Sequence, residues 1–184
     1  MAKRIDLRAY QESIASRLAA AQAGSGVPAL LGFESGGLRW LVELPAAGEV
    51  LPVPALSAVP LTQAWFSGLA NVHGELQSVV DFAVFCGGQP TPHDSSARLL
   101  RIGSRRGINT TLLVNRVHGL KRIDSLYAAE PDAADARAPW QADVFNDTQG
   151  IRWQRLDTDR LLADPALQDA ALTATDVDAR PLSP

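Results

Sequence analysis

The chain has 184 residues, which suits one domain or two small ones and is long enough to bury a sizeable core. A net charge of −3 lacks the basic footprint of nucleic-acid-binding proteins, so we expect no nucleic-acid partner. The single cysteine, Cys86, excludes an internal disulfide and favours a reducing compartment. No apolar run approaches the ~18 residues of a membrane span, and the first residues lack the apolar region of a signal peptide. We therefore expect no membrane insertion and a cytoplasmic location.

The first 26 residues are predicted to form an amphipathic helix followed by a linker. The helix spans residues 6–22, with Asp6 as its N-cap and a glycine-rich segment at its end. Its apolar residues recur at helical spacing along one face: Leu7, Tyr10, Ile14 and Leu18. We expect this face to pack on the helix's own domain, and binding of a partner is the alternative.

Short strand candidates separated by turns dominate the chain from residue 27 onwards. They span residues 27–33, 38–42, 48–51, 68–72, 75–82, 97–103, 108–114, 115–120, 140–145 and 151–156. Four prolines between Pro45 and Pro60 exclude a long central strand in that region. Short strands at regular spacing with glycine turns predict a mainly β protein built from small barrels.

The stretch from Trp65 to Phe85 is predicted to form the central hairpin. His73 and Gly74 supply its tight turn, because glycine reaches positive φ without a Cβ clash. The second strand is rich in leucine, valine and phenylalanine with polar residues interspersed, a pattern typical of a partly covered sheet.

The remaining segments are predicted to be loops and one C-terminal helix. Residues 86–96 form a loop, residues 130–138 form a mobile surface loop, and the last dozen residues are disordered. The helix is predicted over residues 159–172, with Asp157 or Thr158 as its cap. Its inward-facing residues are Leu161, Leu162 and Leu167.

The sequence holds few residues suited to catalysis or metal binding. The histidines lack metal-ligand spacing, so structural or solvated roles are favoured for all three: His73, His93 and His118. Cys86 is interpreted as a small, half-buried side chain, since a nucleophilic thiol needs a nearby base. No phosphate-binding glycine loop and no G-x-S-x-G elbow occurs. We therefore expect no catalytic site, no metal and no cofactor.

Two further groups of residues have a structural and a functional interpretation. Residues 104–107 are predicted to form the turn between the strands at 97–103 and 108–114. Arg105 and Arg106 in this turn could bind a phosphate or an acidic partner, but a solvated position at the end of the hairpin is favoured. The tryptophans are too dispersed for a nucleic-acid stacking platform, so most of them are predicted to be core residues: Trp40, Trp65, Trp140 and Trp153.

The central hairpin carries a motif that resembles a known family. Residues 68–74 (GLANVHG), followed by residues 79–82 (VVDF), resemble the signature hairpin of the CheW family, which reads G-x-x-N-x-R-G and then V-x-D. Further segments resemble the family in the same order, so that the resemblance covers roughly residues 27–120. Within the family, the tryptophan ahead of the hairpin makes the chain most similar to the PilI-type members, which serve type IV pilus systems, and residues 153–156 resemble these members more loosely.

The resemblance implies a fold and a function. Residues 27–157 would form a CheW-like domain of two small SH3-like β-barrel subdomains that share a hydrophobic seam, and residues 158–184 a C-terminal helix with a disordered tail. The protein would be a non-catalytic adaptor that couples methyl-accepting chemoreceptors to a CheA-type histidine kinase and controls twitching motility. One surface would contact the cytoplasmic tip of the receptor, and another the regulatory domain of the kinase.

Eight residues of the motif and its neighbouring strand are predicted to bind a partner. Seven match the family pattern: Glu49, Val50, Gly68, Asn71, Val72, Gly74 and Asp81. The eighth, His73, replaces the usual arginine and lacks its fixed positive fork, a change expected to alter partner affinity or identity. For Asn71 and Asp81, a structural role in anchoring the turn backbone is an equal alternative.

Two rival interpretations stay open at this point. The chain could be a degenerate CheW-like structural module of a chemosensory array that has lost receptor contact. It could also be a small β-barrel enzyme or ligand-binding protein, for which His73 is the one hint in the sequence. That second rival requires a concave pocket with convergent polar groups.

Overall fold

The computed structural model describes residues 29–102, 108–131 and 138–171, and strands dominate this part of the chain. The strands are β1 (Ala29–Ser35), β2 (Leu38–Glu43), β3 (Ala47–Pro52), β4 (Phe66–Val72), β5 (Glu75–Asp81), β6 (Arg98–Ile102), β7 (Thr110–Val114), β8 (Arg116–Arg122), β9 (Leu126–Ala129), β10 (Gln141–Asp147) and β11 (Arg152–Leu156). The helices are α1 (Phe82–Phe85), α2 (Thr158–Leu162) and α3 (Pro165–Gln168), and a 3-10 turn covers Ile123–Ser125. The prediction of a mainly β protein is confirmed. None of these helices is long and apolar enough to cross a membrane.

Six strands form the first barrel, in the order β8-β1-β2-β11-β10-β9. All neighbours run antiparallel except β2 and β11, which run parallel. The two edge strands, β8 and β9, follow each other in the chain, and the 3-10 turn carries the backbone from one edge to the other. The interior is filled by Leu30, Leu41, Leu126 and Trp153.

Five strands form the second barrel, in the order β3-β6-β7-β5-β4. The segment that follows β3 covers the free edge of β4, where Ser57 and Leu69 exchange backbone hydrogen bonds of 2.8 and 2.9 Å. The interior is filled by small and branched apolar residues: Leu51, Ala70, Val72, Val79, Ala97, Leu99 and Leu113.

A hydrophobic seam joins the two barrels. Successive side chains of a strand point to opposite faces. On β7, Leu112 and Val114 therefore enter the seam, whereas Leu113 between them enters the second barrel. All five residues of β7 are buried, so its sequence shows no alternation of apolar and polar residues.

Aromatic side chains form the centre of the seam. The ring centroid of Trp40 lies 5.0 Å from that of Phe82 and 5.9 Å from that of Trp140, and Phe33 stacks on Trp40 at 6.5 Å. Such pairs contribute about 0.5–1.5 kcal/mol each beyond the burial of their area. The prediction that most tryptophans are core residues is confirmed, with Trp65 half-buried at the margin of the seam.

The C-terminal helices close the seam with the three predicted leucines, Leu161, Leu162 and Leu167, which are all buried. Two short helices replace the single helix predicted over residues 159–172. Asp157 caps the first helix by accepting a hydrogen bond of 3.0 Å from Arg160 N. The second begins at Pro165, which has no N–H to continue a preceding helix.

Two further elements differ from the sequence prediction. The strand predicted to reach Phe82 ends at Asp81, and Phe82 begins α1 instead. Strand β9 was not predicted, because only one of its four residues is buried and no alternation marks it. The helix predicted over residues 6–22, the turn at 104–107, most of the loop at 130–138 and the predicted tail lie outside the described residues.

Trp153 fills the first barrel because its surroundings leave room for it and satisfy its N–H. A Cβ atom on Gly32 would lie 2.9 Å from the Trp153 ring, so only glycine fits opposite the indole. Trp153 Nε1 donates to Asp147 Oδ2 at 3.0 Å, and Lys121 Nζ reaches the same oxygen at 3.3 Å. The other carboxylate oxygen of Asp147 accepts the backbone N–H groups of Gln149 and Ile151.

Asp147 is buried, at 6 % exposure, and its pKa reflects opposing effects. Burial raises the pKa, but the hydrogen bonds from Trp153, Ile151, Gln149 and Lys121 outweigh it and hold the pKa below its ordinary value. A carboxylate whose pKa is lower in the folded than in the unfolded state stabilises the fold, and this stabilisation is fully present above the unfolded pKa of about 4. It is lost as pH falls through the lowered folded value.

We expect Asp147→Asn to lower the free energy of unfolding by about 1–3 kcal/mol at neutral pH, because the amide cannot accept all four hydrogen bonds. Urea unfolding monitored by tryptophan fluorescence measures the change. The variant should also lose less stability than the wild type as pH falls below about 4. Asp143→Asn on the same strand is the control, since Asp143 is exposed and should change stability by less than about 0.5 kcal/mol. Equal effects of the two substitutions would contradict the role assigned to Asp147.

The central hairpin contains two glycines with positive φ that differ in their surroundings. Gly68 has φ +121°, and a Cβ there would lie 2.3 Å from the carbonyl oxygen of Ser57, on the segment that covers the edge of β4. Gly74 has φ +87° at the turn, and nothing lies within 4 Å of a Cβ built on it. At Gly68, both the positive φ and the close approach of the Ser57 backbone therefore require glycine, whereas at Gly74 only the positive φ does.

We expect Gly74→Ala to cost about 1–2 kcal/mol of unfolding free energy through backbone strain alone. Gly68→Ala should cost about 1–3 kcal/mol more, because the methyl group must displace the Ser57 backbone. Chemical unfolding of the two variants side by side measures the difference. A Gly68→Ala variant as stable as Gly74→Ala would show that the Ser57 segment yields without cost.

Candidate partner-binding surface

The turn of the central hairpin places its polar residues at one end of the second barrel. His73 and Gly74 have φ values of +54° and +87°, the left-handed pair that a two-residue hairpin turn requires. Asn71 stabilises the turn, since its Oδ1 accepts a hydrogen bond of 2.8 Å from Gly74 N. The structural role considered for Asn71 is therefore present, while the residue itself stays exposed.

The turn contacts strand β3 from the opposite edge of the sheet. His73 Nε2 lies 3.0 Å from Glu49 Oε1, and the two side chains are 60 % and 36 % exposed. We name the group Glu49, Asn71, His73, Gly74 and Glu75 the hairpin tip. Both ring and carboxylate of the His73–Glu49 pair are thus open to solvent and to a partner.

A second ion pair lies beside the first. Arg101 on β6 pairs with Glu75, and Arg101 is also the register partner of Glu49 across the β3–β6 ladder. Behind them, the fully buried Gln77 donates to Glu75 at 3.4 Å and accepts from Thr111 at 3.5 Å. These polar residues close the end of the second barrel beneath the hairpin tip.

Exposed apolar side chains flank the hairpin tip. Val50 is 38 % exposed and Leu76 is 61 % exposed. Each follows a glutamate of the tip in the chain, so alternation directs it to the other face of its strand. The end of the barrel therefore offers charged groups on one side and apolar groups on the other.

Three of the eight predicted partner-binding residues lie inside the molecule. Val72 is 4 % exposed and belongs to the interior of the second barrel, and Gly68 lies under the Ser57 segment. Asp81 is also 4 % exposed, and its carboxylate accepts four hydrogen bonds, two from the first turn of α1 and two from Thr91. Asp81 thus anchors α1 and the following loop.

Five of the predicted residues come together at the surface: Glu49, Val50, Asn71, His73 and Gly74. The prediction did not include Glu75, Leu76 and Arg101, although they belong to the same end of the barrel. The sequence gives little indication that these residues meet, because Arg101 and Glu75 lie on strands β6 and β5, which are separated by β7, and only the pairing of all three strands brings them together.

His118 and Cys86, two other residues considered for chemistry, lie in different surroundings. His118 Nε2 lies 3.1 Å from Glu34 Oε2, and its ring packs edge-on against Trp153. Cys86 was predicted to be half-buried, but the residue is exposed. Desolvation of its thiol, together with the nearby charge of Asp81, raises the thiol pKa to about 12. The thiol therefore stays protonated at neutral pH. Within the described ranges, no group of three or more potential ligands is arranged for a metal ion.

One groove of about 360 Å³ runs between residues 52–55 and 93–98 on the second barrel. Two of its charged groups, those of Asp94 and Arg98, bond to their own loop. Asp94 accepts hydrogen bonds from Ser96 and Ala97, and the bonds from Ser96 lower the pKa of the Asp94 carboxyl. Arg98 donates to the carbonyl oxygens of Ser95 and Ala97.

Comparisons with known proteins agree with this architecture. A family model described as CheW-like domain matches residues 29–166. Protein PilI of Pseudomonas aeruginosa is 29% identical over 132 residues, which cover 71% of each chain. The scaffolding protein TtCheW from Thermoanaerobacter tengcongensis superposes with a TM-score of 0.60 at 15% identity, over 71% of this chain and 88% of that one, a likeness that shows the fold. The prediction of two SH3-like barrels is confirmed, and because the family model spans most of the chain, the protein belongs to the CheW family.

Proposed function

We propose that this protein is a non-catalytic, cytoplasmic adaptor that couples methyl-accepting chemoreceptors to a CheA-type histidine kinase in a type IV pilus chemosensory system. The observation that carries the proposal is the family match over residues 29–166, which includes both barrels and the seam. The similarity to a protein named PilI supports the pilus system, and twitching motility would be the output.

The seam supplies what such an adaptor needs. A coupling protein passes a free-energy change from one interface to another, so its two binding surfaces must be held in a defined relation. Here the chain passes from β7 to β8 through Asn115 alone, and Asn115 bonds to Glu34 O and Gly36 N at the β1–β2 turn. A movement imposed on one barrel therefore strains contacts of the other.

The hairpin tip and the flanking Val50 are the proposed contact with the regulatory domain of the kinase. They combine exposed polar groups with an exposed apolar side chain, as interface rims and cores do. The receptor tip would contact another surface of the molecule.

The ligand-binding alternative lacks support in the described part of the chain. A ligand site needs a pocket with convergent polar groups, whereas Asp94 and Arg98 of the groove at residues 52–55 and 93–98 bond within their own loop. The degenerate-module alternative differs from the proposal only in receptor contact, so binding measurements distinguish them.

We expect the protein to form a saturable one-to-one complex with the regulatory domain of the CheA-type kinase from the same cell. Size-exclusion chromatography and isothermal titration calorimetry measure it, with the receptor's cytoplasmic tip titrated separately. Absence of any interaction at about 100 μM would exclude kinase coupling, because even weak contacts of several kcal/mol are detected at that concentration. Kinase binding without receptor binding would favour the degenerate module.

The same titration tests the assigned surface. Val50→Ser should weaken kinase binding by about three- to tenfold, because the partner loses an apolar contact at the interface. Leu120→Ser is the matched control, since Leu120 is equally exposed, at 39 %, but lies on β8 of the first barrel. Equal losses for both variants would place the kinase contact elsewhere.

A further inference from the structure

The charges at the hairpin tip do not balance. Glu49 of β3 and Glu75 of β5 carry negative charge, and Arg101 of β6 is the only permanent cation among the described residues that contact them. Arg101 is engaged with Glu75. His73 is the remaining partner of Glu49, and an imidazole is charged only when it is protonated.

An arginine at position 73 would neutralise Glu49 at every physiological pH, because a guanidinium does not lose its proton. A histidine neutralises Glu49 only while its ring is protonated, and imidazoles in general gain or lose their charge between about pH 5 and 8. When the imidazole is neutral, one full negative charge at the tip remains without a cationic partner. When it is protonated, the pair carries no net charge.

We propose that Glu49 binds a basic side chain of the kinase's regulatory domain, and that protonation of His73 neutralises Glu49 and weakens this contact. The inference rests on the proposed function and names the chemistry and the regulation of its kinase-binding surface.

The exposure of the two side chains supports this interpretation. The Glu49 side chain is 36 % exposed, so part of its carboxylate is open to a lysine or arginine from outside. Val50 and Leu76 lie on the opposite faces of the strands that carry Glu49 and Glu75, where their exposed side chains offer apolar area to other parts of the partner. Charge complementarity of this kind sets association rate and specificity more than total affinity.

The direction of the pH dependence follows from the charges. A neutral imidazole leaves Glu49 free to attract the partner's cation, whereas an imidazolium, the form favoured at lower pH, competes for the same carboxylate. Binding therefore weakens as pH falls. Since the contact lies at an exposed rim, the expected change is about three- to fivefold and decreases at high salt.

The test is calorimetric titration of the full-length protein with the kinase's regulatory domain at about pH 8 and about pH 5.5, in low salt. His73→Asn keeps the left-handed turn, since asparagine tolerates positive φ, and removes the titrating group. It should bind at both pH values as tightly as the wild type does at the higher one. His73→Arg should bind at both values as weakly as the wild type does at the lower one, and Glu49→Gln should behave likewise.

The second His–Glu pair of the chain provides the matched control. Glu34→Gln removes the partner of His118 on the first barrel, a pair of nearly the same length, and should follow the wild type at both pH values. Thermal unfolding of every variant shows whether it is folded. Chemical shifts of the His73 ring in the free protein show directly whether the imidazole changes its protonation over this pH range.

The outcomes separate this inference from the proposed function. A complex that His73→Arg leaves unchanged or tightens overturns the inference and leaves the adaptor function intact, as does a pH dependence that His73→Asn retains. A pH dependence seen with the receptor tip alone overturns the assignment to the kinase. The absence of any complex at either pH overturns both proposals.

Discussion

The hydrophobic seam between the two barrels is the constraint on which the rest of the structure depends. Strands β1 and β7 bury side chains on both faces, one set inside a barrel and the other in the seam. Neither barrel thus has a complete cover for its apolar faces without the other. The aromatic cluster around Trp40 and the leucines of α2 and α3 complete this shared core, which makes the C-terminal helices part of the domain rather than an appendage.

The seam also determines where function can lie. Residues that serve the core are unavailable to a partner, so the proposed binding surface consists of exposed residues at a barrel end and its turn. The family motif divides accordingly. Asp81 and Val72 hold α1 and the second barrel together, whereas His73 and Glu49 face solvent at the far end of the same hairpin. One short motif therefore combines structural residues with surface residues.

The two histidine–glutamate pairs have the same chemistry but differ in how far their histidines are exposed to a partner. Their N–O distances are 3.0 and 3.1 Å. His118 packs against Trp153 and is 23 % exposed, so its pair belongs to the wall of the first barrel. His73 is 60 % exposed on a protruding turn, so its pair is open to competition from an outside charge. The proposed pH dependence is therefore assigned to His73, because its pair with Glu49 is the one that a partner can reach.

The amino-acid sequence was enough to predict the strand content, the turn at His73 and Gly74, and the family, because periodicity, turn chemistry and an ordered motif are local properties. Which motif residues are internal, and which charged side chains contact each other, became visible in the folded chain. Glu49 contacts His73 across 24 residues, and Arg101 contacts Glu75 across 26. Such pairs depend on strand register and barrel closure, which no short stretch of sequence encodes.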